Sequence, residues 1–175
     1  MFCAGASEQA VSQWASAFTE TAIGVTKTTG DLLGTTMFSV LMGLSRVFYS
    51  KKSQMIPLHR FMVGSGVLCV ISYLLISLSP HPAAGLFGCA LCGLAVGIFW
   101  PGTTSLAAAG IPSGGTAMFA LLALAGDIGC ASGPTFVGLL SDRTGDLRTG
   151  IFAAIGFPLL LLAGLAWFRK EQNRQ

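Results

Sequence analysis

The amino-acid sequence predicts an all-α membrane protein that crosses the bilayer several times. Only 10% of the 175 residues are charged and 53% are hydrophobic, whereas a soluble domain carries roughly 25% charged residues. The charges are also clustered. From Ser77 to Phe168 they comprise Asp127 and a short group between Asp142 and Arg148. Water therefore cannot be the main solvent of this chain, and ionisable groups inside its apolar segments become the best indications of function.

Six segments are long enough to cross about 30 Å of hydrocarbon at about 1.5 Å per residue. Their approximate bounds are 2–25, 32–49, 58–78, 83–109, 116–140 and 150–168. Glycine, proline and short polar residues fill the connections between them, as is usual for loops. The first segment is the least hydrophobic. We expect a single six-helix bundle over residues 1–175, embedded in a lipid bilayer.

Lysine and arginine predict the orientation of the bundle. The second connection and the tail fall on the same side of a six-span protein and hold seven basic residues: Arg46, Lys51, Lys52, Arg60, Arg169, Lys170 and Arg174. The opposite side holds three: Lys27, Arg143 and Arg148. Because basic residues favour the cytoplasmic side, we expect a multi-pass protein of the cell membrane with a cytoplasmic C-terminus.

The sequence indicates no metal site, cofactor, nucleic-acid interface or enzyme. Cys89-x-x-Cys92 lacks the second cysteine pair or nearby histidine that zinc needs, and the basic residues are loop clusters rather than a basic face. A six-span serine protease would need a Gly-x-Ser-Gly nucleophile. The string Cys130–Gly133 lacks its leading glycine, and both histidines, His59 and His81, lie at segment ends.

Polar residues form a stripe along the first segment. At about 100° per residue they fall within an arc of about 140°, and they are Glu8, Gln9, Ser12, Gln13, Ser16, Thr19 and Glu20. Such a stripe in a spanning helix predicts a wet cavity or another polar face. The alternative is a soluble surface helix that precedes five spans.

Asp127 lies near the middle of the fifth segment, where a carboxylate costs roughly 2.5–3.5 kcal/mol. It must face a partner or a cavity, or bind a proton. Glu8 and Asp127 are therefore the two candidates for proton coupling. A purely structural hydrogen-bonding role for Asp127 is the alternative.

Small residues and prolines predict close packing and a bend. Gly129-x-x-x-Gly133 is followed by Pro134, and Gly93-x-x-x-Gly97 repeats the spacing in the fourth segment; such pairs let helix backbones approach closely. Pro101 should kink the fourth segment because it removes a backbone hydrogen bond. The bend could belong either to a moving gate or to a static bundle.

Several motifs occur in an order that resembles the C-terminal half of a major facilitator superfamily transporter, in particular its fucose:proton symporter and sugar-porter branch. The residues that carry the resemblance are Gly5–Gln9 with Trp14, Gly43–Arg46, Phe99–Pro101, Gly126–Gly129 through Gly133-Pro134, and Gly138–Arg143. The resemblance covers nearly all of the chain.

The resemblance implies two inverted three-helix repeats and secondary transport of a small polar solute, such as a sugar, by proton symport. It implies substrate contacts from Glu8, Gln9, Gln13, Trp14 and Trp100, with the proton bound at Glu8 or Asp127. It assigns helix packing and gating to Gly43, Arg46, Pro101, Gly129, Gly133 and Pro134. Trp14 lies about 120° from Glu8 on a helical wheel, so its contact with solute would need local unwinding.

Two departures from the family pattern leave alternatives open. The family's loop motif lies on the cytoplasmic side, whereas Gly138–Gly145, which resembles it best, falls outside by the count of basic residues. The family also works with twelve helices, so we expect an N-terminally truncated frame, a split half, or a half that pairs with a second copy. A non-transporting remnant or an assembly subunit is the alternative function. The solute and the direction of coupling are open.

Overall fold

The computed structural model describes residues 1–23 and 26–172, and every regular element in these ranges is helical. Val25, at the predicted end of the first segment, and Arg174 of the basic tail lie outside the described residues. A π-helical turn, Asp31–Thr35, lies between α3 and α4. The helices are α1 (Phe2–Ser12), α2 (Ala15–Ile23), α3 (Lys27–Gly30), α4 (Thr36–Lys52), α5 (Leu58–Leu78), α6 (Pro82–Val96), α7 (Phe99–Gly110), α8 (Gly115–Thr144), α9 (Leu147–Ala153) and α10 (Gly156–Gln172).

Five helical stretches in the described ranges are long and apolar enough to cross a membrane: Thr28–Lys52, Leu58–Leu78, Ala83–Gly110, Gly115–Thr144 and Leu147–Glu171. They correspond to the second through sixth predicted segments and are called spans two to six below. Span three agrees with its prediction at both ends. Span five runs past the predicted end at residue 140 to Gly145, whose left-handed backbone (φ 73°) ends the helix.

The first predicted segment, called span one below for its place in the prediction, is two helices rather than one in the described residues, and it is not among these five stretches. The helix is interrupted at Gln13 and Trp14, where the Trp14 N–H donates to the Val11 carbonyl at 3.1 Å, three residues back, instead of four. A turn tightened in this way changes the direction of the polar stripe. Thr19, beyond the interruption, is fully buried and donates its hydroxyl to the Ala15 carbonyl at 2.7 Å. The prediction of one continuous polar stripe is wrong at this residue.

Glycines bring the backbones of span one and span five together. A Cβ on Gly129 would meet the Phe2 carbonyl oxygen, and one on Gly133 would lie 2.5 Å from the Ala6 carbonyl oxygen. From the other side, a Cβ on Gly5 would meet the Gly126 carbonyl oxygen. Larger residues would force the two helices apart.

Span two and span four meet in the same way. A Cβ on Gly93 would strike the Phe38 carbonyl oxygen, and one on Gly97 would lie 2.6 Å from the Met42 carbonyl oxygen. At all four glycines, the nearest atom that a Cβ would meet is therefore a backbone oxygen of a neighbouring helix. These two contacts and the packing of span three on span four are among the largest between elements of the bundle.

Gly129→Ala should lower the stability of the bundle by about 1–3 kcal/mol, because the added methyl group meets a backbone oxygen that cannot rotate away. Thermal unfolding in detergent would show the change, followed by reaction of a thiol-specific dye with the buried Cys69, Cys89 and Cys92. Gly43→Ala is the matched control, since a Cβ on Gly43 meets nothing within 4 Å. Equal melting temperatures for the two variants would contradict a tight contact at Gly129.

Candidate functional site

Glu8 stands out because its carboxylate is incompletely satisfied. The side chain is half-buried in the middle of α1. Within the described residues, the two buried side-chain oxygens without a hydrogen-bond partner are Glu8 Oε2 and the hydroxyl oxygen of the preceding Ser7. Buried polar atoms are normally paired in native proteins, so unpaired ones need an explanation. Two adjacent examples mark this turn of span one as the candidate functional site.

Arg46 of span two is the cation whose charge acts on Glu8. Its Nε–H donates to the Gly97 carbonyl at 3.0 Å, at the interruption between α6 and α7. Proline has no N–H, so Pro101 cannot give Gly97, four residues earlier, the usual helical hydrogen bond. Arg46 therefore satisfies a carbonyl that Pro101 leaves free, which in hydrocarbon would cost several kcal/mol, about as much as any unpaired backbone group.

Trp100 and Asp127 lie on the neighbouring helices. The Trp100 ring packs on Gly126 of span five, where a Cβ would meet ring atoms at 2.5 and 3.0 Å. Asp127, the next residue, is exposed on the surface of the described bundle. On span one, Gly5 lies about one turn before Glu8, and a Cβ there would meet the Gly126 carbonyl oxygen. The structure thus brings Glu8, Arg46, Trp100 and Asp127 into one region, where spans one, two, four and five meet.

The remaining substrate-contact candidates follow Glu8 in span one: Gln9 is the next residue, and Gln13 and Trp14 lie at the break between α1 and α2. Gln13 is exposed and donates its side-chain amide to Gln9 Oε1 at 3.1 Å. Trp14 points elsewhere: its indole N–H donates to the Pro134 carbonyl at 3.2 Å, and its ring lies beside Gly138. Trp14 and Pro134 therefore join span one to span five.

Gly43 was predicted as a packing or gating residue, but a Cβ there would meet nothing within 4 Å. In the described bundle it faces open space on span two and makes no close helix contact. Its open position leaves room for contact with another protein or with lipid.

Sequence reasoning missed two residues beside Glu8. The Tyr73 hydroxyl of span three, fully buried, donates to the Ser7 main-chain carbonyl at 2.8 Å. Ser7 itself is fully buried with its hydroxyl unpaired. A tyrosine in the middle of an apolar span is a signal that could have been used, because its hydroxyl needs a partner there.

The arrangement can hold a proton and offer hydrogen bonds to a polar molecule. The free carboxyl oxygen of Glu8 and the free hydroxyl of Ser7 lie within one turn of span one, and the Arg46 guanidinium of span two supplies further donors. No group of three or more histidine, cysteine or acidic side chains among the described residues could hold a metal ion.

Comparison with protein families matches residues 1–175 to the family model described as Major Facilitator Superfamily. The matched range contains all six predicted segments and every residue of the candidate site. No curated protein and no solved structure matches the chain significantly.

Arg46→Met should destabilise the bundle by about 1–3 kcal/mol, because it leaves the Gly97 carbonyl without its donor. Adding Pro101→Ala restores an N–H four residues after Gly97, so the double variant should regain about 1 kcal/mol, the usual size of coupling between residues in one network. Thermal unfolding of the wild type, both single variants and the double variant measures this coupling. Additive effects would contradict a shared carbonyl.

Proposed function

The chain belongs to the major facilitator superfamily, a family of multi-pass membrane transporters, and we propose that it moves a small polar solute across the cell membrane by proton symport. The solute class that its side chains suit is a sugar. Carboxyl, amide and hydroxyl groups bind sugar hydroxyls, and aromatic rings pack on the apolar faces of sugar rings.

The observation that carries this proposal is the unpaired Oε2 of Glu8. An ionisable group inside a membrane segment is costly and is usually kept for a pathway or a proton relay. A solute hydroxyl could donate to this oxygen, or a proton could occupy it. Glu8 is therefore the site at which the two ligands meet in the proposed mechanism.

Arg46 links the charge of Glu8 to the bend in span four. When Glu8 is ionised, it competes with the Gly97 carbonyl for the guanidinium group. When Glu8 is protonated, its attraction for Arg46 weakens, and Arg46 keeps its hydrogen bond to the Gly97 carbonyl beside the bend. In this mechanism proton binding favours one geometry of the Gly97–Pro101 region over another, and Pro101 serves as the gating residue.

The solute contacts proposed beside Glu8 are Gln9, Gln13 and Trp100. The exposure of Gln13 and the partial exposure of Gln9 leave their amides open to a ligand, and Trp100 offers a half-buried ring near Asp127. Asp127 is the second proposed proton carrier. The bond between Trp14 and Pro134 favours packing over solute contact for Trp14.

A second six-helix unit completes the proposed transporter. Asp127 on span five and Gln13 on span one are exposed polar groups at membrane depth, which lipid would not tolerate. A partner bundle, either an N-terminal half or a second copy, would cover them and enclose a solute pathway. Alternating access then comes from rocking the two bundles around the site.

Glu8→Gln should reduce uptake driven by a pH gradient at least tenfold, because glutamine cannot bind and release a proton. Membrane vesicles containing the full chain would be tested with radiolabelled L-fucose and D-galactose as probes, in the presence and absence of an imposed gradient. Asp127→Asn should give a smaller loss. Glu20→Gln is the matched control in the same segment, and its uptake should stay near that of the wild type.

Each alternative gives a different uptake result. Sugar uptake that ignores the pH gradient in the wild type would contradict proton coupling. Unchanged uptake in both Glu8→Gln and Asp127→Asn would contradict their coupling roles. No uptake of either sugar by the wild type would contradict a sugar as solute.

The orientation set by the basic residues is tested with reporter fusions in a bacterial host. Green fluorescent protein fused after Lys170 should fluoresce, because this end is proposed to be cytoplasmic. Alkaline phosphatase inserted between spans five and six, after Thr144, should be active because that connection is proposed to lie outside. The reverse pattern would place Lys51, Lys52 and Arg60 on the external side and contradict the orientation.

A further inference from the structure

A groove of about 730 Å³ lies between span two and span three. Most of its wall is apolar, and two basic side chains line it. We call it the basic groove and define it by Leu44, Phe48, Lys51, Arg60, Phe61 and Gly64. The Phe48 and Phe61 rings stack in its wall at 6.2 Å between centroids. The basic groove therefore has a positively charged part and an apolar part.

The two parts lie at different depths. Lys51 is in the last turn of α4 and Arg60 in the first turn of α5, so both stand at the end of the spans, where the connection turns. Leu68, deeper in the wall, is eight residues beyond Arg60, which corresponds to about 12 Å along a helix. The basic groove thus has a cationic mouth at the membrane surface and an apolar channel that runs into the hydrocarbon.

We propose that the basic groove binds a phospholipid with a net negative headgroup, such as phosphatidylglycerol. The headgroup lies between Lys51 and Arg60, and one acyl chain fills the apolar channel. From residue 32 to residue 126 the sequence contains no aspartate or glutamate. Asp31, in the first turn of span two, lies about 30 Å along the helix from Lys51, so no acid of these three spans or their connections competes for the two cations. The unpaired N–H groups in the first turn of α5 add to the attraction for an anion.

The basic groove is separate from the transport site. At about 100° per residue, Leu44, Phe48 and Lys51 lie about 140–200° around α4 from Arg46. Arg46 points to span four and the Gly97 carbonyl, whereas the groove opens on the opposite side of the same helix. A lipid there therefore occupies the side of span two away from Glu8.

The test is native mass spectrometry of the full chain in detergent with phosphatidylglycerol or phosphatidylcholine of the same acyl chains. The wild type should retain at least one phosphatidylglycerol in preference to phosphatidylcholine. Each basic side chain strengthens binding to an anionic lipid surface about fivefold. Lys51→Gln with Arg60→Gln should therefore weaken retention roughly 25-fold. Arg169→Gln with Lys170→Gln is the matched control, with the same loss of charge in the tail, and should retain lipid normally.

A substitution that fills the apolar channel tests the role of the channel without changing the charge of the groove. A Cβ on Gly64 meets nothing within 4 Å, so Gly64→Leu projects into the basic groove and should displace the acyl chain while the bundle stays folded. Gly164→Leu is its control. It fills a different apolar groove, with no lysine or arginine in its wall, and should leave phosphatidylglycerol retention unchanged.

The outcomes separate lipid from other occupants. Loss of phosphatidylglycerol in both groove variants, with retention in both controls and unchanged helix content by circular dichroism, supports the proposal. Equal retention of the two lipids by the wild type would overturn it. A shift of Gly64→Leu from dimer to monomer, with lipid retention unchanged, would instead assign the groove to a protein partner and also overturn the proposal.

Discussion

In a hydrocarbon medium, each polar backbone atom must find its partner within the protein, and this constraint organises the bundle. Where the helices bend or meet, side chains supply donors to main-chain carbonyls on other helices or connections. Five such bonds among the described residues are Arg46 to Gly97, Tyr73 to Ser7, Trp14 to Pro134, His59 to Leu165, and Arg148 to Ser79. They tie spans two to four, three to one, one to five, three to six, and six to the connection before span four. The bond from Arg46 satisfies a carbonyl at a break within a span, which lipid alone would penalise.

Ser7 Oγ and Glu8 Oε2 are exceptions to this rule, because both are buried without a hydrogen-bond partner in the described residues. Because the structure supplies a donor even to the Gly97 carbonyl beside Pro101, a serine and a glutamate could also have been given partners. Leaving both unpaired costs stability, and residues that break a local rule in this way concentrate at functional sites. The exception lies between Tyr73, which fixes the backbone of Ser7, and Arg46, whose charge reaches Glu8. The main chain of Ser7 is thus hydrogen-bonded while the two side-chain oxygens have no partner.

The fold was largely predictable, and the site only in part. Spans two to six follow from hydropathy and breaker residues because the bilayer sets a minimum length for each helix, and residues 58–78 agree at both ends. Glu8 and Asp127 could be chosen as site residues because they are acids within apolar segments. The pairing of Arg46 with Gly97 depends on which helix lies beside span two, and Ser7 becomes notable only once its burial is known. Both follow from tertiary packing, which a single sequence does not contain.

The glycine contacts indicate which parts of the bundle can move. Under a three-plus-three inverted repeat, span one corresponds to four and span two to five, so contact between spans one and five has its counterpart between four and two; both occur, each through a glycine pair. Backbone packed on backbone leaves little room for sliding. The bend at Gly97 differs, because its hydrogen bond comes from a long side chain that can exchange acceptors. In the proposed mechanism, movement within this bundle is therefore placed at the Gly97–Pro101 bend rather than along either glycine contact.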